Sequence, residues 1–179
     1  METVGLETLS HLTLVLGGAR SGKSRFAEGL VTERPAPWVY IATAEAWDEE
    51  MRERIAVHRD RRDGGWTTVD APLALPDAIR EAPGDAPVLV DCLTLWLSNL
   101  MLGDHDLAAA TQHLDEALAR RKAMTVVVSN EVGLGIVPDN ALARSFRDEQ
   151  GRLNQHIAAN AASVIFMVAG LPMTIKDET

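Results

Sequence analysis

Apolar runs and helical stripes alternate along this chain in a regular order. Leu12-Thr13-Leu14-Val15-Leu16, Trp38-Val39-Tyr40-Ile41-Ala42, Val88-Leu89-Val90-Asp91, Thr125-Val126-Val127-Val128-Ser129 and residues 164–168 are short, near-continuous apolar segments. Their length and β-branched content predict strands buried on both faces. Residues 66–69 predict one more short strand, ending at Asp70. Between the strands lie helix-like stretches at 25–31, 48–62, 72–82, 93–102, 107–124 and 140–162. The first carries Phe26, Ala27, Leu30 and Val31 at helical spacing, and the last, capped by Asp139, carries a stripe of Leu142, Phe146, Leu153 and Ile157. Arg144, Arg147, Gln150 and Asn154 fall on its other sides. Gly151 in its interior costs about 1 kcal/mol against Ala and predicts a close backbone approach there. Residues 1–11 read as a short frayed extension and Gly170-Leu171-Pro172 as the opening of a short tail.

Strand and helix alternating without a repeat or low-complexity linker predict an α/β fold. It is a single domain over residues 12–179, with a mostly parallel central sheet flanked by helices on both faces. In such sheets ligands bind along the carboxyl edge of the strands, and the residues there carry the chemistry. Gly17-Gly18-Ala19-Arg20-Ser21-Gly22-Lys23-Ser24, at the end of the first strand, fits G-x-x-x-x-G-K-[ST] and opens the first helix. Strand, glycine loop and helix in that order are the context of a phosphate-binding P-loop. Glycines let the main chain curl so that its N–H groups converge on phosphate oxygens, and the helix adds its positive end. Lys23 would reach the β- and γ-phosphates, and the Ser24 hydroxyl would ligate Mg²⁺. Val88-Leu89-Val90-Asp91 has the Walker B pattern, an apolar strand lifting a carboxylate toward that metal; a helix-capping Asp91 is the competing reading.

Composition narrows the partners. Among 179 residues, 26 acidic side chains against 17 basic ones leave a formal charge of -9, which argues against a nucleic acid as the main partner. The single cysteine, Cys92, permits no internal disulfide and fits a reducing, cytoplasmic setting. No apolar run approaches the roughly 20 residues that a membrane helix needs, and the first residues lack a signal-peptide pattern. His11, His105, His113 and His156 are scattered without ligand spacing and read as surface residues, while Trp47, Trp66 and Trp96 read as core. Asn130 and Glu131, at the start of a glycine-containing loop, fit either a substrate contact or a loop-shaping role.

His58 stands apart. In the 48–62 helix it shares one side with Met51 and Ile55 and a neighbouring row with Arg54, Arg61 and Arg62, so it lies where an apolar stripe meets a cationic one. An imidazole can attack an α-phosphorus, and Arg59, Arg61 and Arg62 would neutralise phosphoryl charge; a histidine on a surface helix fits the same pattern. Residue patterns alone leave three readings open: a two-step transferase, a plain small-molecule kinase, and a nucleotide-dependent switch or assembly ATPase.

Several blocks in order discriminate among them. GGARSGKSRFAE, YIATAEAWDEEMRERIAVHRDRR, VDCLT, NEVGLGIVP and RSFRDEQGRLNQ together resemble the bifunctional adenosylcobinamide kinase/adenosylcobinamide-phosphate guanylyltransferase family, over nearly the whole chain. The resemblance implies an enzyme that phosphorylates adenosylcobinamide with GTP or ATP. It then transfers GMP from GTP to the phosphate through a guanylyl-histidine, giving adenosylcobinamide-GDP and pyrophosphate. It implies that His58 is the guanylylated residue. Nucleotide contacts would fall on Gly17 to Ser24, on Ala42, Thr43 and Ala44, on Arg59, Asp60, Arg61 and Arg62, and on Asp70 and Asp91. Family members carry Glu where this chain has Asp70 and Asp91, one methylene longer in reach. The resemblance also implies a homo-oligomer, with a trimer as one arrangement.

Overall fold

The computed structural model describes residues 8–45 and 64–178. The expected helix at 48–62, with His58 and its arginines, lies outside the described residues, as does Trp47. The described elements are β1 (Leu9–Gly17), α1 (Lys23–Thr32), β2 (Trp38–Ala42), β3 (Trp66–Asp70), α2 (Leu75–Glu81), β4 (Val88–Asp91), α3 (Leu93–Leu102), α4 (Leu107–Ala119), β5 (Thr125–Asn130), α5 (Ala141–Asn160), β6 (Ala161–Val168) and β7 (Leu171–Asp177). The strands form one seven-stranded sheet in the order β3-β2-β4-β5-β1-β6-β7. Every pairing is parallel except β6 with β7.

The apolar runs are what a sheet covered on both faces requires, because alternate residues of one strand face different helices. Leu12, Leu14, Val39, Ile41, Val88, Val90 and Val127 pack with residues of α2, α3, α4 and α5, Trp96 and Ile157 among them. The intervening residues, Val15, Tyr40, Leu89, Val126 and Val128, pack instead with Ala27 and Val31 of α1. No helix among the described residues is long and apolar enough to cross a membrane.

Element ends differ from the sequence pattern where distant partners decide them. The first strand starts at Leu9, inside the expected extension, because Leu9 pairs with Ala161. α4 stops at Ala119 and not near residue 124. Just beyond it Arg121 turns inward, and its guanidinium donates to the carbonyls of Ile79, Ala82, Pro83 and Ala86, capping the end of α2 and the turn into β4. β6 follows α5 with no connecting residue, and the expected tail is β7, an antiparallel edge strand that tolerates Pro172. On α5, Leu142 is 60% exposed, whereas Gln150 and Asn154 are buried. The predicted close approach at Gly151 is absent: a Cβ there would meet nothing within 4 Å.

Candidate functional site

The Gly17–Ser24 loop is held from both sides of β1. On one side the Glu131 N–H donates to Gly17 O at 3.0 Å; on the other the Gly170 N–H donates to Ser21 O at 3.1 Å. A Cβ on Gly17 would lie 2.7 Å from both Met167 O and Ser21 Oγ, so only glycine fits this packing. Gly22 starts α1 with φ 95°, a left-handed conformation that a side chain would strain. α1 has no side-chain N-cap and no acid in its first turn, which leaves its positive end open to an anion. The Ser21 hydroxyl is buried in the same loop without a hydrogen-bond partner.

Lys23 lies in the first turn of α1, only 7% exposed, with Nζ donating to Gly18 O at 2.6 Å. Burial pulls its ammonium below the ordinary lysine range, while the neighbouring Cys92 and Asp91 favour the charged form. Burial, then Asp91, pushes the Cys92 thiol up to about 11. A thiol with that value is neutral near pH 7, so the Asp91 carboxylate is the counter-charge that acts on Lys23. Asp91 ends β4, where its Oδ2 accepts a hydrogen bond from Tyr40 Oη at 2.8 Å.

The sheet register places the acids. Ala42, at the end of β2, is paired with Asp70 on one side and Asp91 on the other. The two carboxylate-bearing positions are therefore about 10 Å apart, two strand spacings. β5 separates Asp91 from β1, and its last residue, Asn130, is in register with Gly17. Asp70 is exposed, Ser24 half-buried, and Ala19 and Arg20 lie open at the loop's crest.

Thr43 has its hydroxyl engaged within the protein. It is 0% exposed; its hydroxyl donates to Cys92 O at 2.6 Å and accepts from the Cys92 N–H at 2.8 Å. Asn99 Nδ2 bridges Thr43 O and Pro72 O, so Thr43 ties together the carboxyl ends of β2, β3 and β4. The half-buried Ala44 follows it at the rim. His58, Arg59, Asp60, Arg61 and Arg62 lie outside the described residues.

A second set of polar residues, not singled out from the sequence, underlies β5. Ser129 Oγ donates to Asn154 Oδ1, Gln150 Nε2 donates to both, and Asn154 Nδ2 donates to Asn130 O. The i, i+4 spacing of Gln150 and Asn154 was the available signal, since two amides on one turn of a helix packed on a sheet need partners. Glu131 Oε1 accepts the Gly133 N–H at 2.6 Å, a bond that shapes the loop. His105 and His113 are exposed, whereas His11 bonds Leu118 O and His156 pairs with Asp115. Trp96 is 1% exposed in the core, and Trp66 is half-buried against Trp38 and Tyr40. Among the described residues no three His, Cys, Asp or Glu side chains converge as a metal cage.

Residues 13–175 match the model of a family described as cobinamide kinase / cobinamide phosphate guanyltransferase. The "bifunctional adenosylcobalamin biosynthesis protein CobP" of Pseudomonas aeruginosa is 51% identical over 168 residues, covering 92% of this chain and 97% of its own. The corresponding CobU proteins of Salmonella typhimurium and Escherichia coli are 42% and 41% identical, each over 92% of this chain and 99% of their own. Solved structures share the fold at low identity. A Pyrococcus horikoshii protein, PH0250, superposes with a TM-score of 0.56 at 10% identity, covering 97% of this chain and 90% of its own. An ATPase from a bacterial type III secretion system superposes with a TM-score of 0.52 at 14% identity, covering 95% of this chain and 59% of its own.

Proposed function

The chain belongs to the cobinamide kinase / cobinamide phosphate guanyltransferase family, and from that premise we propose how its residues divide two reactions of cobalamin biosynthesis between them. The observation that carries the proposal is the Gly17–Ser24 loop, with the buried Lys23 donating to Gly18 O and under the influence of Asp91. In the first reaction the loop amides and the open end of α1 take the phosphates of GTP or ATP. Lys23 exchanges Gly18 O for a phosphate oxygen and offsets charge on the γ-phosphoryl group as adenosylcobinamide's hydroxyl attacks it.

For Mg²⁺ the donor chemistry fits. Ser24 supplies a hydroxyl from the first turn of α1 and Asp91 a carboxylate oriented by Tyr40, hard oxygen donors to which phosphate and water oxygens add. Bound there, the ion would screen charge between phosphates. Asp91 is shorter than the family's Glu, so a bridging water would complete its reach. Ala42, Thr43 and Ala44 form the wall beyond β2, with Thr43 acting through its buried hydrogen bonds, and Asp70 extends the acidic rim.

In the second reaction His58 is the nucleophile. Its imidazole nitrogen forms a bond to the α-phosphorus of GTP as the bond to pyrophosphate breaks. The phosphate of adenosylcobinamide phosphate then displaces the imidazole, giving adenosylcobinamide-GDP. Arg59, Arg61 and Arg62, with Asp60 among them, would hold the transferring group. We read residues 12–179 as one catalytic unit, working in the cytoplasm as a homo-oligomer, a trimer being the arrangement expected. The exposed Leu171, Met173 and Ile175 on the edge strand support association.

Incubation with Mg²⁺ and GTP labelled at the α-phosphate tests the second half. A covalent label that is acid-labile, stable to alkali and absent from His58→Ala is the expected result, with cobinamide phosphorylation retained in the variant. Equal loss of both activities in His58→Ala would overturn the division of labour.

A further inference from the structure

The phosphoryl acceptor is much larger than the nucleotide, and the Gly17–Ser24 loop presents backbone amides and charge but no broad apolar surface to it. The segment leaving β5 does. β5 runs between β1 and β4, so this loop rises midway between Gly17 and Asp91. Its base is fixed by the Glu131 N–H to Gly17 O and by Asn154 Nδ2 to Asn130 O. Its far end is fixed by the Arg144 guanidinium, which donates to Pro138 O at 3.0 Å and Asp139 O at 2.9 Å. Between these anchors Leu134 is 82% exposed, Ile136 98% and Val137 60%. Branched aliphatic side chains held in water on an anchored loop beside a phosphate site mark a binding surface.

We propose that Leu134, Ile136 and Val137 are the seat of the acceptor, receiving the apolar face of the corrinoid while its hydroxyl reaches toward the phosphates above Lys23. This rests on the kinase reading above and adds to it the residues that select the acceptor. A flat macrocycle with aliphatic faces and an amide rim suits three aliphatic side chains on a loop with free edges. A second exposed apolar group, Leu171, Met173 and Ile175, lies on β7, beyond β6 from the P-loop strand, and suits a protein neighbour better.

The test is steady-state phosphorylation by the full chain, with adenosylcobinamide and GTP varied in turn, for wild type, Leu134→Ser/Ile136→Ser and Ile136→Leu, alongside size-exclusion chromatography. Losing two aliphatic contacts that the acceptor would bury predicts a KM for adenosylcobinamide raised about tenfold or more, with the KM for GTP holding its wild-type value. Ile136→Leu, which changes shape but stays aliphatic, should raise the KM for adenosylcobinamide far less than the double serine variant does. An unmoved KM for adenosylcobinamide in the double serine variant would overturn the seat. So would a shift to a smaller species with both KM values altered, which would make the loop a contact between copies. A wild-type protein that binds GTP yet never phosphorylates adenosylcobinamide would overturn the kinase reading itself, a failure separable from that of the seat.

Discussion

Lys23 shows how much one position can hold. Its place in G-x-x-x-x-G-K-[ST] makes it readable from the sequence as a phosphate ligand, because the motif is local and each residue type has its own reason. What surrounds it is not readable in that way. Asp91 and Cys92 act on it only because β4 lies one strand from β1, across β5, and Tyr40, on the neighbouring β2, is 51 positions from the carboxylate it orients. Thr43 illustrates the same limit, since its place in the family pattern suggests a nucleotide contact while its hydroxyl is spent on Cys92. For Lys23→Met, which keeps the stem and removes the charge, phosphorylation should fall by about 100-fold or more. Far-UV circular dichroism should be unchanged. Turnover within a few-fold of wild type would take Lys23 out of the phosphoryl-transfer step.

At the scale of elements, the strands were legible because each is a short buried run, but their ends were set by contacts that no local pattern carries. α4 is cut short by Arg121, whose polar head has four carbonyls to satisfy, and β1 is lengthened by Leu9 finding Ala161. His11 joins the two elements: its Nε2 donates to Leu118 O in the last turn of α4, at 3.1 Å. Burial lowers its pKa from 6.5, the Leu118 hydrogen bond pulls the other way, and Arg121 lowers it further. For a base lowered in the folded state, the neutral form is the one that fits. Above 6.5 it is neutral folded or unfolded and contributes nothing to pH dependence. Below 6.5 the unfolded chain takes the proton first, so stability declines as pH falls toward the folded-state value. Urea midpoints measured from pH 7.5 down to pH 5 should therefore drop more steeply in wild type than in His11→Gln. Parallel curves would show that His11 plays no part.

For the molecule as a whole, alternation of strand and helix was enough to expect a parallel sheet with its site at the carboxyl edge. Strand order was not legible, because nothing local says that β5 inserts between β1 and β4, or that the last residues return as β7. That order matters for function. Phosphate donors come from β1 and α1, the carboxylate from β4, and the loop proposed for the acceptor from β5 between them, so the site exists only when the sheet is assembled. A ligand of such a site binds the folded chain and not the unfolded one, and must stabilise the entire fold. At 100 times its dissociation constant the gain is about 2.7 kcal/mol. For a chain of this size that corresponds to a rise in Tm of about 5–10 °C. Mg²⁺ with GTP should produce this rise in wild type. With a chelator in place of Mg²⁺ the rise should shrink, because Ser24 and Asp91 then have no cation to share with the phosphates. In Asp91→Asn, where Ser24 and the phosphates can still hold the ion, the rise should be less sensitive to the chelator than in wild type. If Mg²⁺ instead shifted the Tm of Asp91→Asn as much as that of wild type, Asp91 would not be serving the cation, and its carboxylate would be left with a single role, as the counter-charge to Lys23.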